Sequence, residues 1–281
     1  MTRVKRLLIG AAMALLLGLV RVLAGPDVVP VGAAGDTFEV AHYNLCSRKC
    51  SLEHVPGASK THLGVTPVNE MFWWMAARNR FPRAISLNEV CGEAFWTLAA
   101  GLDPSYNYKH YFLASRNFPN DGGCTTFGNS ISARTLTDYG PWQYCHVDGN
   151  GGTASNGCAP STDTGAEYRN MVCTRSQVYF EGFWACTSHT TGSGQATDYR
   201  AVIDYWTDPR VALGDLNVQD SVQSFTDNGY ADAYVGLPTI ESGDHIDYAY
   251  FHTGNLAGRD SYFRYNGASD HHLLFGGIHF K

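Results

Sequence analysis

Apolar and polar residues alternate along several short stretches of this chain, and each stretch gives way to a polar residue that ends it. Phe38-Glu39-Val40-Ala41-His42-Tyr43-Asn44-Leu45 has the period of two that a half-buried strand requires, with branched and aromatic members, and the strand is predicted to end at Asn44. Thr66-Pro67 then offers a helix cap followed by a proline suited to the first turn, and Val68, Met71, Phe72 and Met75 recur at helical spacing through Arg78. Ala84-Ile85-Ser86-Leu87 predicts a short buried strand that delivers Asn88 and Glu89 at its end. Further strands are predicted at 108–114, 129–134, 171–174 and 177–188, a helix at 196–206, a strand at 211–213 running into Gly214-Asp215, and strands at 245–251 and 273–280. Residues 145–163 are dense in Gly, Ser, Thr, Asn and Asp and carry no period, so they read as a loop. The pattern is mixed α/β with many antiparallel neighbours, in one domain over residues 38–281 and without an internal repeat.

The first 24 residues differ from the rest. Arg3, Lys5 and Arg6 precede an apolar run from Leu7 to Val20, followed by Val22-Leu23-Ala24, which is the layout of a secretory signal peptide over residues 1–24. A membrane anchor is the competing reading, but a span needs roughly 20 apolar residues and this run is shorter. A Gly/Pro/Val linker over 25–37 follows, and Gly32-Ala33-Ala34 offers a second cut point. The chain is 44% hydrophobic, 13% aromatic and 16% charged, which argues against disorder. Removing the first 24 residues removes four basic and no acidic residues and takes the formal charge from −6 to −10. Such a surface binds no polyanion generically, so contact with nucleic acid would need a local basic groove or a bound cation. All eight cysteines lie beyond the leader, and an even number in an exported chain reads as disulfides. Zinc is the alternative, but Cys46 and Cys50 have no second close Cys or His pair to complete a structural site. The sequential pairing 46–50, 91–124, 145–158 and 173–186 is expected because it closes short local loops.

Taken one at a time, the polar strand ends have ordinary explanations. Asp215 and Asn217 in Gly214-Asp215-Leu216-Asn217 suit a capped turn, Ser269-Asp270-His271 a solvated loop, His189 a half-buried hydrogen-bonded ring, and Glu89 a helix-cap partner. Their order changes the reading, because Asn44, Glu89, His189, Asp215, Asn217, Asp247, Asp270 and His271 all stand at or just after a predicted strand. Together the segments HYNLC (42–46), SLNEV (86–90), GNSISAR (128–134), EYRNM (167–171), CTSHT (186–190), ALGDLNV (212–218), HIDYAYF (245–251) and ASDHHLL (268–274) resemble the endonuclease/exonuclease/phosphatase superfamily, the DNase I-like proteins. The resemblance spans residues 38–280.

It implies a four-layer α/β/β/α sandwich with a site at one end of two central sheets, and hydrolysis of a phosphate mono- or diester with Mg²⁺, Mn²⁺ or Ca²⁺. Glu89, Asn44 and Asp270 are then the expected ligands, because a hard cation prefers oxygen. His271 is expected as general base or phosphate-binding imidazolium, according to its protonation, with Asp247 orienting it. Asp215 would handle the proton of the attacking water or of the leaving oxygen. Asn217 and His189 would donate to phosphate oxygens, with Arg169 either beside them or in a structural ion pair. Two departures stand out. Asn88 occupies a position where most relatives carry Gln, as it does in bacterial sphingomyelinases, and Asp163 stands where some abasic-site nucleases carry a tyrosine. His272 reads as an exposed bystander beside His271. Between the last motifs, Tyr262, Phe263 and Tyr265 with Arg259 and Arg264 suit stacking on bases, or else a strand packed on the core. A monomeric extracellular nuclease is the favoured expectation, ahead of a phospholipid phosphodiesterase, a small phosphate-ester phosphatase and a silent binding module.

Overall fold

Side chains point alternately to two apolar layers along most strands of the computed structural model, which describes residues 37–45, 65–117, 126–134, 142–145, 169–178, 181–219, 222–234, 238–266 and 269–281. One sheet contains β1 (Thr37–Asn44), β2 (Ala84–Cys91), β3 (Tyr108–Asn117), β4 (Thr126–Arg134), β11 (Leu256–Asn266) and β12 (His272–Phe280). Its strand order is β11-β12-β1-β2-β4-β3. The other contains β5 (Trp142–Cys145), β6 (Asn170–Val178), β7 (Glu181–Ser188), β8 (Arg210–Asp215), β9 (Tyr230–Asp232) and β10 (Asp247–His252), in the order β5-β6-β7-β8-β10-β9. Each sheet has one parallel pair at its centre, β1 with β2 and β7 with β8, and antiparallel pairs around it.

Phe38, Val40, Ala84, Ile131, Leu274 and Ile278 of the first sheet meet Val172, Phe183, Ala185, Val211, Leu213 and Ala249 of the second in one buried layer. The opposite face of the first sheet, with Ala41, Tyr43, Ile85 and Phe275, packs on α1 (Val65–Ala77) and α2 (Gly92–Tyr106) through Val68, Met71, Met75, Phe95, Leu98 and Leu102. The far face of the second sheet, with Met171, Ala212, Tyr248 and Tyr250, packs on α3 (Ser193–Ile203) and α4 (Gln223–Thr226) through Ala196, Tyr199, Ile203 and Phe225. The four-layer α/β/β/α sandwich expected from the motifs is therefore the fold. Each Leu, Ile or Phe fully buried in these layers contributes roughly 1.5–3 kcal/mol.

Several boundaries differ from the predicted ones. The strand predicted to stop at Leu87 runs on to Cys91 through a bulge, because β4 continues to pair with Val90 and Cys91. The stretch predicted as one strand over 177–188 belongs to two, since β6 reaches Val178 and β7 begins at Glu181, paired antiparallel. The helix predicted at 196–206 lies three residues earlier, at Ser193–Ile203. The helices α2 and α4 and the strands β5 and β9 were not predicted, and β11 covers the stretch with Tyr262, Phe263 and Tyr265, for which a strand was one of the two readings. Cys173 and Cys186 face each other across β6 and β7 and form a disulfide, as expected. Cys91 is also disulfide-bonded, and its expected partner Cys124 lies outside the described residues, as do Cys46, Cys50 and Cys158 of the other expected pairs. The signal segment, the linker before residue 37 and most of the loop over 145–163 likewise lie outside them.

Candidate active site

The residues facing the other sheet change character along each central strand. They run Phe38, Val40, His42, Asn44 on β1, Ala84, Ser86, Asn88 on β2, Phe183, Ala185, Thr187 on β7 and Val211, Leu213, Asp215 on β8, apolar at one end and polar at the other. The C-terminal ends of both parallel pairs thus meet in a buried polar patch. Buried polar groups need partners, and here they find one another across the sheets. His42 joins Ser86 Oγ through Nδ1 (2.8 Å) and Asp247 Oδ1 through Nε2 (3.0 Å). Ser86 Oγ meets Thr187 Oγ1 at 2.6 Å, and Asn88 donates to Thr187 Oγ1 (3.1 Å) and to Asn129 Oδ1 (2.8 Å). Asn129 in turn donates to Asn170 Oδ1 (2.8 Å), and the Asp215 amide donates to Asn88 Oδ1 (2.8 Å).

Three local backbone features aim the charged side chains. In the bulge, two residues of β2, Asn88 and Glu89, stand where β4 offers one, and Glu89 takes φ 50°, which turns its side chain out of the strand alternation. Asn217 adopts φ 51° in a turn closed by its own amide donating to Asp215 Oδ1 at 3.0 Å. The turn reading of Gly214-Asp215-Leu216-Asn217 is thus correct as well, since the turn is what holds the polar pair. At Gly214, φ is 147° and a Cβ would fall 1.9 Å from Ser188 O, so only glycine lets the end of β7 lie against β8 and bring His189 beside Asp215.

His271 Nδ1 lies 2.9 Å from Asp247 Oδ2, and its Nε2 faces Asp215 Oδ2 at 3.8 Å and Asp270 Oδ1 at 4.0 Å. Burial opposes charge on His271, but the Asp247 carboxylate and its hydrogen bond, with Asp215 and Asp270 behind, push its pKa up to about 10. Burial would raise Asp247 too. The charge and hydrogen bond of His271, with His42 adding to both, instead hold it well below the usual carboxylate range. Burial and the neighbouring Asp247 raise Asp215 against the pull of His189, His271 and the Asn44 amide. His189 has Arg169 Nη1 2.6 Å from Nδ1 and Asn217 Nδ2 3.1 Å from Nε2. A guanidinium and an amide nitrogen both only donate, so each ring nitrogen of His189 faces a donor, and Glu89 Oε1 and Asp215 Oδ2 lie 3.6 Å from Nε2. Asn217 Nδ2 donates to Thr190 O at 2.8 Å and also lies against His189 Nε2.

Asn44, Glu89, Arg169, His189, Asp215, Asn217, Asp247 and His271 all come together in this patch, and Asp270 stands at its rim with its side chain 45% exposed. Asn44 Nδ2 reaches both Asp215 Oδ2 (2.9 Å) and Glu89 Oε1 (3.5 Å). Asp215, Asp247 and His271 offer ligand atoms within 4.8 Å of one another. Both Asp247 oxygens and His271 Nδ1 are already engaged, however, so that trio suits a hydrogen-bonded pair better than an ion cage. The carboxylates of Glu89 and Asp270 lie nearer solvent and, with the buried Asn44, offer the oxygen donors that suit a hard, partly hydrated cation. Arg169 bonds His189, and His272 is buried, with 4% exposed, rather than an exposed bystander, because β12 begins there and turns it into the sandwich. His42, Ser86, Asn129, Asn170 and Thr187 were not singled out in the sequence. Their signal was polar residues on period-two positions that are apolar toward the other end of the same strands.

No family model and no curated protein matches the chain. Solved structures do. An endonuclease/exonuclease/phosphatase from Bacteroides vulgatus superposes with a TM-score of 0.65 at 12% identity, over 88% of this chain and 100% of that one. A mannosyl-6-phosphatase from Bacteroides thetaiotaomicron gives 0.60 at 14% identity, over 87% and 99%. The D. rerio TDP2 complexed with single strand DNA product gives 0.57 at 11% identity, over 86% and 99%. The fold is that of the endonuclease/exonuclease/phosphatase proteins, as the ordered segments implied.

Proposed function

We propose that this chain is a secreted, divalent-metal-dependent hydrolase of phosphate esters, and within that class an extracellular nuclease. The observation that carries the reading is the convergence of Asp215, His189 and His271 across gaps of 3.6–3.8 Å, with Glu89 beside them. The shared fold supports it, since its relatives include a mannosyl-6-phosphatase and a TDP2 bound to a DNA product. Glu89 and Asn44, with Asp270, would hold Mg²⁺, which when bound neutralises charge on phosphate oxygens. His271, protonated at neutral pH, serves as the imidazolium that binds a phosphate oxygen through Nε2 rather than as a base. The His189 ring and the Asn217 amide, side by side next to Asp215, are the further donors to an anionic transition state. Asp215, with its raised carboxyl, moves the proton of the attacking water or of the leaving oxygen. Asp247 keeps His271 in place.

Hydrolysis of a smaller or lipid-borne phosphate ester is the second reading, favoured by the acidic balance of 26 Asp+Glu against 20 Lys+Arg, which repels a polyanion. The side chains of Arg259, Tyr262, Phe263, Arg264 and Tyr265, which would distinguish the two, lie outside the described residues, although their backbone forms edge strand β11. Purified protein with Mg²⁺ should release acid-soluble nucleotides from DNA or RNA, and chelation, Asp215→Ala or His271→Ala should abolish this without unfolding. Cleavage of sphingomyelin or a sugar phosphate but not of nucleic acid would replace the nuclease reading. No hydrolysis of any of them with Mg²⁺, Mn²⁺ or Ca²⁺ would end the phosphoesterase reading.

A further inference from the structure

His42 stands out because nothing in the proposed chemistry uses it. It is fully buried, on the face of β1 where Phe38 and Val40 are apolar, and its ring has polar partners on both nitrogens. The hydrogens along its contacts run in one direction. Asn88 Nδ2 can only donate, so Thr187 accepts from it and is free to give its hydroxyl hydrogen to Ser86 Oγ. Ser86 then donates to His42 Nδ1, and His42 donates from Nε2 to Asp247 Oδ1. The relay begins on β2, crosses to Thr187 on β7 of the other sheet, returns to Ser86 and His42, and crosses again to Asp247, the carboxylate that holds His271.

We propose that His42 is a positioning residue, which holds Asp247 by the oxygen opposite His271 so that the carboxylate presents only Oδ2 to the His271 ring. Asp247 is wholly buried and accepts one imidazole hydrogen on each oxygen, His42 at 3.0 Å and His271 at 2.9 Å. A carboxylate bonded on one oxygen alone can rotate about its Cβ–Cγ bond. Bonded on both, by the ring of His42 from β1 and that of His271 just before β12, it cannot turn without breaking one of them. The direction in which His271 points Nε2 then follows from where β1 lies. The proposal rests on the phosphoesterase reading for its kinetic consequence, although the hydrogen-bond geometry stands apart from it.

Two substitutions separate positioning from mere filling of space. The amide nitrogen of Gln falls near the imidazole Nε2 and can still donate to Asp247, whereas that of Asn falls near Nδ1 and cannot reach it. In a folded His42→Gln protein, kcat and KM should both stay within about three-fold of the parent. In His42→Asn, kcat should fall by about 10–100-fold with KM within about three-fold, the size of effect seen when a group that orients a functional ligand is removed. The downfield proton resonance of His271 Nδ1–H, identified by its loss in His271→Asn, should persist in the Gln protein and shift or vanish in the Asn protein. Equal behaviour of the two variants in kcat and in this resonance would overturn the proposal, as would a folded Gln variant lacking the resonance. If the parent protein hydrolyses no phosphate ester, the functional reading fails, and the resonance still decides the role of His42.

Discussion

Burial and the charge of Asp247 raise the Asp215 carboxyl even though His189, His271 and Asn44 pull the other way. A carboxyl raised in the folded state binds its proton more tightly there than in the unfolded chain, so stability falls as pH rises through the unfolded value of about 3.9, and ionised Asp215 is a burden at neutral pH. Asp215→Asn is therefore expected to raise the midpoint of thermal unfolding at pH 7 while lowering kcat by about 10²–10⁴-fold. A lowered midpoint would show that its contacts with the two histidines outweigh its burial. The Asp247–His271 pair acts in the other direction. The His271 pKa is raised, so its contribution is fully present below about 6.5 and is lost as pH rises through about 10. Asp247 is depressed, so its contribution is present above about 3.9 and is lost as pH falls below it. The stability difference between the parent and His271→Asn, from urea unfolding, should thus be largest between about pH 4 and 6.5 and shrink on either side.

At the scale of elements, the site depends on two strands that break their own regularity. The bulge in β2 aims Glu89, and the close approach at Gly214 sets the end of β7 beside β8. A Cβ at 214 would meet the backbone oxygen of Ser188, which has no rotamer to escape into. Gly214→Ala should destabilise the protein by about 2 kcal/mol or more, and it should lower activity beyond that loss by moving His189, both measurable on the folded fraction. Retention of stability and activity together would mean that β7 can shift without consequence. The strands were readable because alternation is a local property. The bulge was not, because whether two residues oppose one depends on how long β4 goes on pairing past the polar position. The helix α2 carries Phe95, Leu98, Ala99 and Leu102 at helical spacing, but Gly92, Gly101 and Pro104 within it weaken the local signal, and packing on Met71 and Phe127 supplies what propensity lacks.

At the scale of the molecule, the two sheets are held together by a shared apolar layer that turns polar at the end where the site lies. The second sheet is further tied by Cys173–Cys186, a direct cross-strand pair whose cysteines are 13 residues apart in the chain. Replacing both cysteines with alanine should lower stability by about 3 kcal/mol in denaturant unfolding, chiefly by freeing the unfolded chain. An unchanged denaturation midpoint would show that the β6–β7 ladder alone keeps the two strands together.

The strands marked by alternation, the turn at Asp215–Asn217 and the set of polar residues at strand ends were determined by local sequence, because alternation and turn chemistry act over a few residues. The tertiary structure alone decided which of those polar ends face one another. Sheet packing sets His42 and His271 on opposite oxygens of Asp247, and Arg169 against His189. It also raises one aspartate while depressing its neighbour across β8 and β10, since burial and the distance between charges, which fix a pKa, exist only once distant strands have met.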